Sequence, residues 1–569
     1  MNTIDFPRFP LIVSALLALA PCSKGMPDMN FPRFPSIVPT LEGHDDEIAA
    51  DCARLRRETV VDGFALYASL QPEGDPPRDK AGPLAQRFRA LRDRLAAEGI
   101  PLGLLLQSTM GHRTPNTPAK FQSIVFSNGD APSVYCPLDA AFRAFVRSQI
   151  AALAAERPAF FLLDDDARLR TGRDACFCPL HLAEFSRRTG RAWTDREALR
   201  TALVADPGLA ADWERLRLDS IAALARDVRA AFDAVDPAIP GAFCFCGADA
   251  VDALPLARLL AAPGQRPVLR LNNARYLRDG NRDLPTTLLW TSGELLTLPA
   301  DADALVLDEP DTCPQNRYSM SAANFHLHLS LGLLSGCGGG KLWITRMHSW
   351  EPASGEAYRR ALARNAGFHR ELLRLAPKWE GLRIPLAKGA GGGAEPPPEG
   401  DWGSRILGRM GFPYAYVRPG DYDGPATSAA LSAAFPEPLP AEGDNGFGPF
   451  RTWLNETRKN EIAHVLRRLA RDEGDLPCWY AGDAEVLLRA GRAADGSRLL
   501  LLVPLSNDVL EEAPLVFPFG TPPALERLCG DGTWRPAVFD PATGLLADPI
   551  LPADPAVFRV TVFTRKVSP

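Results

Sequence analysis

Residues 158–166 read Pro158-Ala159-Phe160-Phe161-Leu162-Leu163-Asp164-Asp165-Asp166, a short apolar run that stops abruptly in three consecutive carboxylates. A run this short reads as a buried strand, and the chain on either side repeats the pattern. Upstream stand Ser36-Ile37-Val38, Val60 to Ser69 and Leu102 to Leu106. Downstream stand Ala242 to Cys246, Val268 to Leu271, Ala304 to Leu307 and Lys341 to Thr345. Amphipathic helices separate them. One is expected over Asp45 to Arg57, and a second carries Leu84, Phe88, Leu91 and Leu95 on one face and stops at Gly99. Others present Phe142, Val146, Ile150 and Leu153, then Trp213, Leu216, Leu224, Val228 and Phe232, then Phe325, Leu327, Leu331 and Leu334, with a closing helix over Gly355 to Leu375.

Eight strands alternating with helices predict a (β/α)8 TIM barrel over residues 30–385. The rival is an open doubly wound sheet, which carries a glycine-rich turn after an early strand. No such turn is present, and the cluster Gly336 to Gly340 precedes a strand, so it reads as a turn and not as a phosphate cradle. Beyond the barrel, residues 386–475 read as a small αβ domain, entered through the Gly/Pro-rich stretch Gly389 to Gly400. Residues 476–569 are β-rich, with runs at Ala484 to Leu488, Leu499 to Val503, Pro514 to Phe517 and Phe558 to Phe563, and predict a β-sandwich.

The 569 residues hold 63 Lys and Arg against 69 Asp and Glu, a net charge of −6. That balance lacks the basic footprint of a nucleic-acid-binding protein. No apolar stretch is long enough to span a bilayer, so no membrane partner is expected. Eleven cysteines in a chain this long are too few for a disulfide scaffold. Residues 1–29 are set aside from the fold. Pro10 to Ala20 looks like the apolar part of an export signal, but Pro21 suits neither cleavage nor a lipoprotein reading of Cys22. Asp5 to Val13 (DFPRFPLIV) also recurs as Asn30 to Val38 (NFPRFPSIV), so an export signal and a misassigned start both stay open, and with them a cytoplasmic or exported location.

In a barrel the chemistry gathers at the carboxyl ends of the strands. Polar groups recur there: Gln107 and His112 after the third strand, the Asp triplet after the fourth, Asn272-Asn273 after the sixth, Asp308-Glu309 after the seventh, and Arg346, His348 and Trp350 after the eighth. The eight histidines form no Ser/His/Asp or HExxH set. Two carboxylate positions, on strands four and seven, surrounded by aromatics and amides, are what glycoside hydrolysis needs. The plainer reading of the triplet is a helix cap or a structural ion pair.

These residues resemble clan A of the retaining glycoside hydrolases, and more narrowly the family 42 β-galactosidases and the related family 164 β-mannosidases. Where that family has Asp-Asn-Glu after strand four, this chain has Asp164-Asp165-Asp166. The resemblance therefore implies Asp166 as acid/base and Glu309 as nucleophile. It also implies a zinc cluster: Cys136 opens the third helix, and Cys176, Cys178 and His181 follow strand four in the spacing C-x-C-x-x-H, where many family members have C-x-C-x-x-C. Histidine is an equally good zinc ligand. Such zinc is structural, and no cofactor is implied for catalysis. The plainer reading is three buried thiols and a histidine. Cys244 and Cys246 read as thiols of the barrel strand.

The activity implied is that of a retaining exo-β-glycosidase acting on terminal galactose- or mannose-type residues of an oligo- or polysaccharide, in a homo-oligomer that the resemblance makes a trimer. Asp165, Gln107, His112, Asn273, Tyr318, Trp343, Arg346, His348 and Trp350 are the residues expected to hold the sugar. Aspartate at 166 draws the carboxyl back by about 1.5 Å relative to glutamate. Two alternatives stay open: a catalytically impaired barrel that binds carbohydrate, and an inverting mechanism.

Overall fold

The computed structural model describes residues 31–112, 114–169, 175–245, 250–272, 284–350, 352–386, 402–418, 421, 427–437, 439, 453–473, 476–518, 520, 522 and 524–561. Among them, eight parallel strands follow one another in sequence order around one sheet: β1 (Pro35–Val38), β2 (Gly63–Ser69), β3 (Leu102–Gln107), β4 (Phe161–Leu163), β5 (Gly241–Cys244), β6 (Val268–Arg270), β7 (Leu305–Asp308) and β8 (Gly339–Gly340). Hydrogen bonds from Leu342 N to Pro35 O and from Ile37 N to Leu342 O, both 2.9 Å, join the last strand to the first. The barrel is closed.

Parity along each strand sorts the side chains. Ile37, Ala65, Leu105, Leu162, Ala242, Cys244, Val268, Leu307 and Trp343 pack together inside. Phe64, Leu104, Leu106, Phe161, Leu163, Phe243 and Leu269 point outward into the layer shared with the helices. The two-residue period of a strand then dictates that Gln107, Asp164, Arg270, Glu309 and Lys341 enter the barrel mouth. Asp308 faces outward, its carboxyl lying where a side chain on Gly332 of helix Ala322–Leu334 would have to stand.

The eighth strand corrects the sequence reading. Gly339 and Gly340 belong to the ladder and are not a turn before it. A Cβ on Gly339 would sit 1.9 Å from the carbonyl oxygen of Arg33, so closure at that point requires glycine. The closing helix is also two helices, Pro352–Arg364 and Ala366–Leu375, which break at Asn365.

Between β4 and β5 lie helices Pro179–Thr189, Arg196–Ala205 and Pro207–Asp233. Asp206 caps the last of these by accepting from Gly208 N and Leu209 N, with Pro207 at its first position. Phe177, Phe185, Trp193, Leu199, Trp213 and Leu216 give this excursion its own apolar cluster. Past the barrel, Leu382–Pro385 pairs in parallel with Tyr414–Val417, and helix Glu456–Glu473 follows. The C-terminal residues form a four-stranded antiparallel sheet and five strands of a six-stranded one, whose edge strand Lys378–Glu380 comes from the end of the barrel segment. Leu488, Leu500, Leu502, Leu515, Leu546 and Phe558 pack between them, which is the sandwich expected.

Candidate active site

A cleft of about 460 Å³ opens over the carboxyl ends of the strands, lined by Tyr67, Gln107, His112, Asp165, Glu309 and Trp343 among others. Its floor is a buried charge network. Arg270 donates to Asp164 at 2.8 Å and meets Glu309 Oε2 at 2.9 Å, while Lys341 Nζ meets Glu309 Oε1 at 2.7 Å and Asp164 at 3.4 Å. Trp343 Nε1 also donates to Glu309 Oε1, at 3.2 Å. Two cations and two carboxylates thus alternate, each acid touching both cations. Burial alone would raise the Asp164 carboxyl, but the charges of Lys341 and Arg270 overcome it and hold Asp164 well below the usual carboxylate range. Buried ions of this kind persist only when mutually paired.

The three aspartates take three different directions. Asp164 belongs to the floor. Asp165 lines the cleft and pairs with Arg168 at 2.9 Å. Asp166 is buried and is not among the lining residues: its Oδ2 accepts from Ser108 N at 2.7 Å, and its Oδ1 meets His112 Nδ1 at 2.6 Å. The hydrogen bond to Asp166 raises His112 above its ordinary range. Oxygens of all three acids lie within 4.8 Å of one another, and their main partners differ: Arg270 and Lys341 for Asp164, Arg168 for Asp165 (with Arg270 at 3.8 Å), and His112 for Asp166.

The structure brings Gln107, His112, Asp165, Glu309, Trp343, Arg346 and His348 to one cleft. Tyr318 stands apart, 80% exposed, its hydroxyl accepting from Arg317 at 2.7 Å. Trp350 stacks on His44, with ring centroids 5.9 Å apart, and does not line the cleft. Asn273 lies outside the described residues, although its neighbour Asn272 lines the cleft. Sequence reasoning missed Arg270, Lys341 and Asp311. The signal was available for the first two, since each is a cation at an inward position of an otherwise apolar strand. Asp311 is buried beside Glu309, and burial together with that charge pushes it up to about 7.

The four residues of the expected zinc cluster come together. Cys136, Cys176, Cys178 and His181 are all buried, with their ligand atoms within 4.8 Å of one another. His181 Nδ1 lies 3.3 Å from Cys136 Sγ and 3.5 Å from Cys178 Sγ. Ser220 Oγ gives its proton to Arg217 O, so it accepts from His181 Nε2 at 3.3 Å and leaves Nδ1 as a lone pair facing the sulfurs. Three thiols, one such nitrogen and an outer hydrogen bond fit a closed tetrahedral zinc site.

The fold is shared with β-galactosidases. The structure of a β-galactosidase from Bacillus circulans sp. alkalophilus superposes with a TM-score of 0.56 at 10% identity, covering 94% of this chain and 100% of the other. One from Rahnella sp. R3 gives 0.54 at 12% identity over 94% and 99% of the two chains. One from Marinomonas ef1 gives 0.53 at 10% over 93% and 100%. No protein-family model and no curated protein sequence matches the chain. The likeness therefore extends through barrel, middle segment and sandwich alike, and it is a likeness of fold.

Proposed function

We propose that this protein is a glycoside hydrolase that releases a terminal β-linked sugar of galactose or mannose type by double displacement. The observation that carries the proposal is Glu309: a carboxylate at the carboxyl end of β7, on the floor of a cleft, in a barrel with the fold of β-galactosidases. Arg270, Lys341 and Trp343 fix both of its oxygens, so the carboxylate meets the anomeric carbon without reorganising. In this reading Glu309 attacks that carbon, and the proton for the leaving oxygen comes from the strand-four side, where Asp166 stands. Water then releases the glycosyl-enzyme. A cleft of about 460 Å³ is of small-molecule size, which favours binding one terminal sugar over a long internal stretch.

The reading includes a structural zinc on Cys136, Cys176, Cys178 and His181 that steadies the chain after β4, and a homotrimeric assembly, which light scattering checks as a mass of three chains. The activity itself is tested with a panel of aryl β-glycosides and Glu309→Gln. Hydrolysis of one glycone, reduced about a thousandfold or more in the variant, supports the assignment. Undiminished hydrolysis by the variant removes Glu309 from the mechanism, and a wild type inert to every sugar but able to bind one favours the carbohydrate-binding alternative.

A further inference from the structure

We infer that His112, held by Asp166, is the group that passes a proton to the leaving oxygen and later takes one from water, so that Asp166 positions the acid rather than being it. The inference deepens the glycosidase reading and rests on it. Both oxygens of Asp166 are engaged inside the protein, one by Ser108 N at 2.7 Å and the other by His112 Nδ1 at 2.6 Å, and the residue is 5% exposed. Glu309 is held as firmly, but it lines the cleft, whereas Asp166 lies behind His112 and is not among the residues that line it. The ring of His112, by contrast, is half-exposed and lines the cleft that holds Glu309.

The segment around the ring is built to hold it. Ser108 sits in the left-handed region at φ 60, a conformation that non-glycine residues avoid, and from there its N–H reaches Asp166. Gly111 has φ +126, and a Cβ there would stand 2.3 Å from Ser133 O, so only glycine lets the chain pass just before His112. His112 N then donates to Gln71 Oε1 at 2.6 Å. With Nδ1 committed to Asp166, Nε2 is the nitrogen left for chemistry. The carboxylates whose charge acts on the ring are Asp166, which it touches, and then Asp165 and Asp164, and Arg168 is taken up by Asp165 at 2.9 Å. Their combined charge favours the imidazolium, which is the form a proton donor needs.

In the first step a Glu309 oxygen bonds to the anomeric carbon as the carbon–oxygen bond to the leaving group breaks. That electron pair takes the proton from His112 Nε2. In the second step neutral His112 takes a proton from water, the water oxygen bonds to the anomeric carbon, and Glu309 leaves as the carboxylate.

The test compares His112→Gln and Asp166→Asn with Glu309→Gln on aryl β-glycosides carrying a poor (methoxyphenyl) or an activated (dinitrophenyl) leaving group. For His112→Gln the expected loss is on the order of 10²–10⁴-fold with the poor leaving group. With the activated one, release of the first dinitrophenol survives as a burst while turnover slows. In Asp166→Asn the basic limb of the kcat/KM pH profile moves to lower pH, because the charge that raises His112 is gone, whereas a merely structural role leaves that limb in place. Equal losses of His112→Gln in release of the first leaving group on both substrates, or none, with Glu309→Gln inactive, overturn the inference and leave the glycosidase reading standing. Loss confined to Asp166→Asn, with His112→Gln active on the poor leaving group, makes Asp166 the donor and also overturns it. A wild type inert to every substrate sinks both.

Discussion

Asp311 shows how far a single carboxyl can depart from its sequence. It follows β7 by three residues, accepts from Cys313 N at 2.8 Å and Gln315 Nε2 at 3.2 Å, and is pushed up to about 7 by burial and by Glu309. Its folded value lies above its unfolded one, so the folded chain binds that proton more tightly. The contribution is fully present below about pH 4 and is lost as pH rises through about 7. Asp311→Asn removes the dependence. Urea unfolding at pH 5 and pH 8 is expected to show wild-type stability falling across the interval by a few kcal/mol more than the variant's. Identical pH slopes would show that Asp311 ionises as freely as an exposed acid. At this scale the strand ends were legible: Gln107 and Glu309 were read at the ends of their strands and line the cleft, as does Trp343, read among the sugar-holding residues. Direction beyond a strand end was not legible, because Asp165 and Asp166 lie in a turn where the two-residue period no longer holds.

Among elements, most apolar runs match a strand to within two residues, but β2 begins three residues later than read, at Gly63, and strand Val486–Arg492 runs four residues past Leu488. The glycine pair of β8 reads as a turn by propensity, yet it is a strand because the carbonyl of Arg33 leaves no room for a side chain. The segment after β4 carries the zinc prediction. Cys176 and Cys178 are brought to Cys136 by the bond from Phe177 N to Val125 O, 2.7 Å, and His181 is delivered by the first turn of helix Pro179–Thr189. The purified protein is expected to hold one zinc per chain by elemental analysis, and Cys178→Ser and His181→Ala to lose most of it. Chelation is expected to lower the wild-type Tm by several degrees, on the order of 5 °C, and to leave the variants unchanged. A wild type that purifies and refolds without zinc, at unchanged Tm, returns the cluster to three buried thiols and a histidine.

Across the whole molecule the sandwich is fastened to the barrel. Strand Lys378–Glu380 leaves the closing helix and pairs with Ala490–Arg492 of the larger C-terminal sheet. Phe368 N donates to Gly530 O at 3.0 Å, and Trp534 Nε1 to Glu371 at 3.0 Å. A Cβ on Gly367 would lie 2.1 Å from the backbone of Asp531, so that contact tolerates no side chain on its helix partner. Gly367→Ala is therefore expected to loosen the docking: calorimetry should resolve two transitions where wild type shows one, with faster proteolysis between barrel and sandwich. A single transition at the wild-type temperature would mean that the contact contributes nothing to coupling. By itself the sequence determined the strand order and the presence of acids at two strand ends, because hydrophobic period is a property of short segments. Only the tertiary structure decided which acid faces the cleft and which cation each one meets. Arg270 lies 106 residues from Asp164 and Lys341 lies 177 from it, and barrel closure alone brings them within bonding distance.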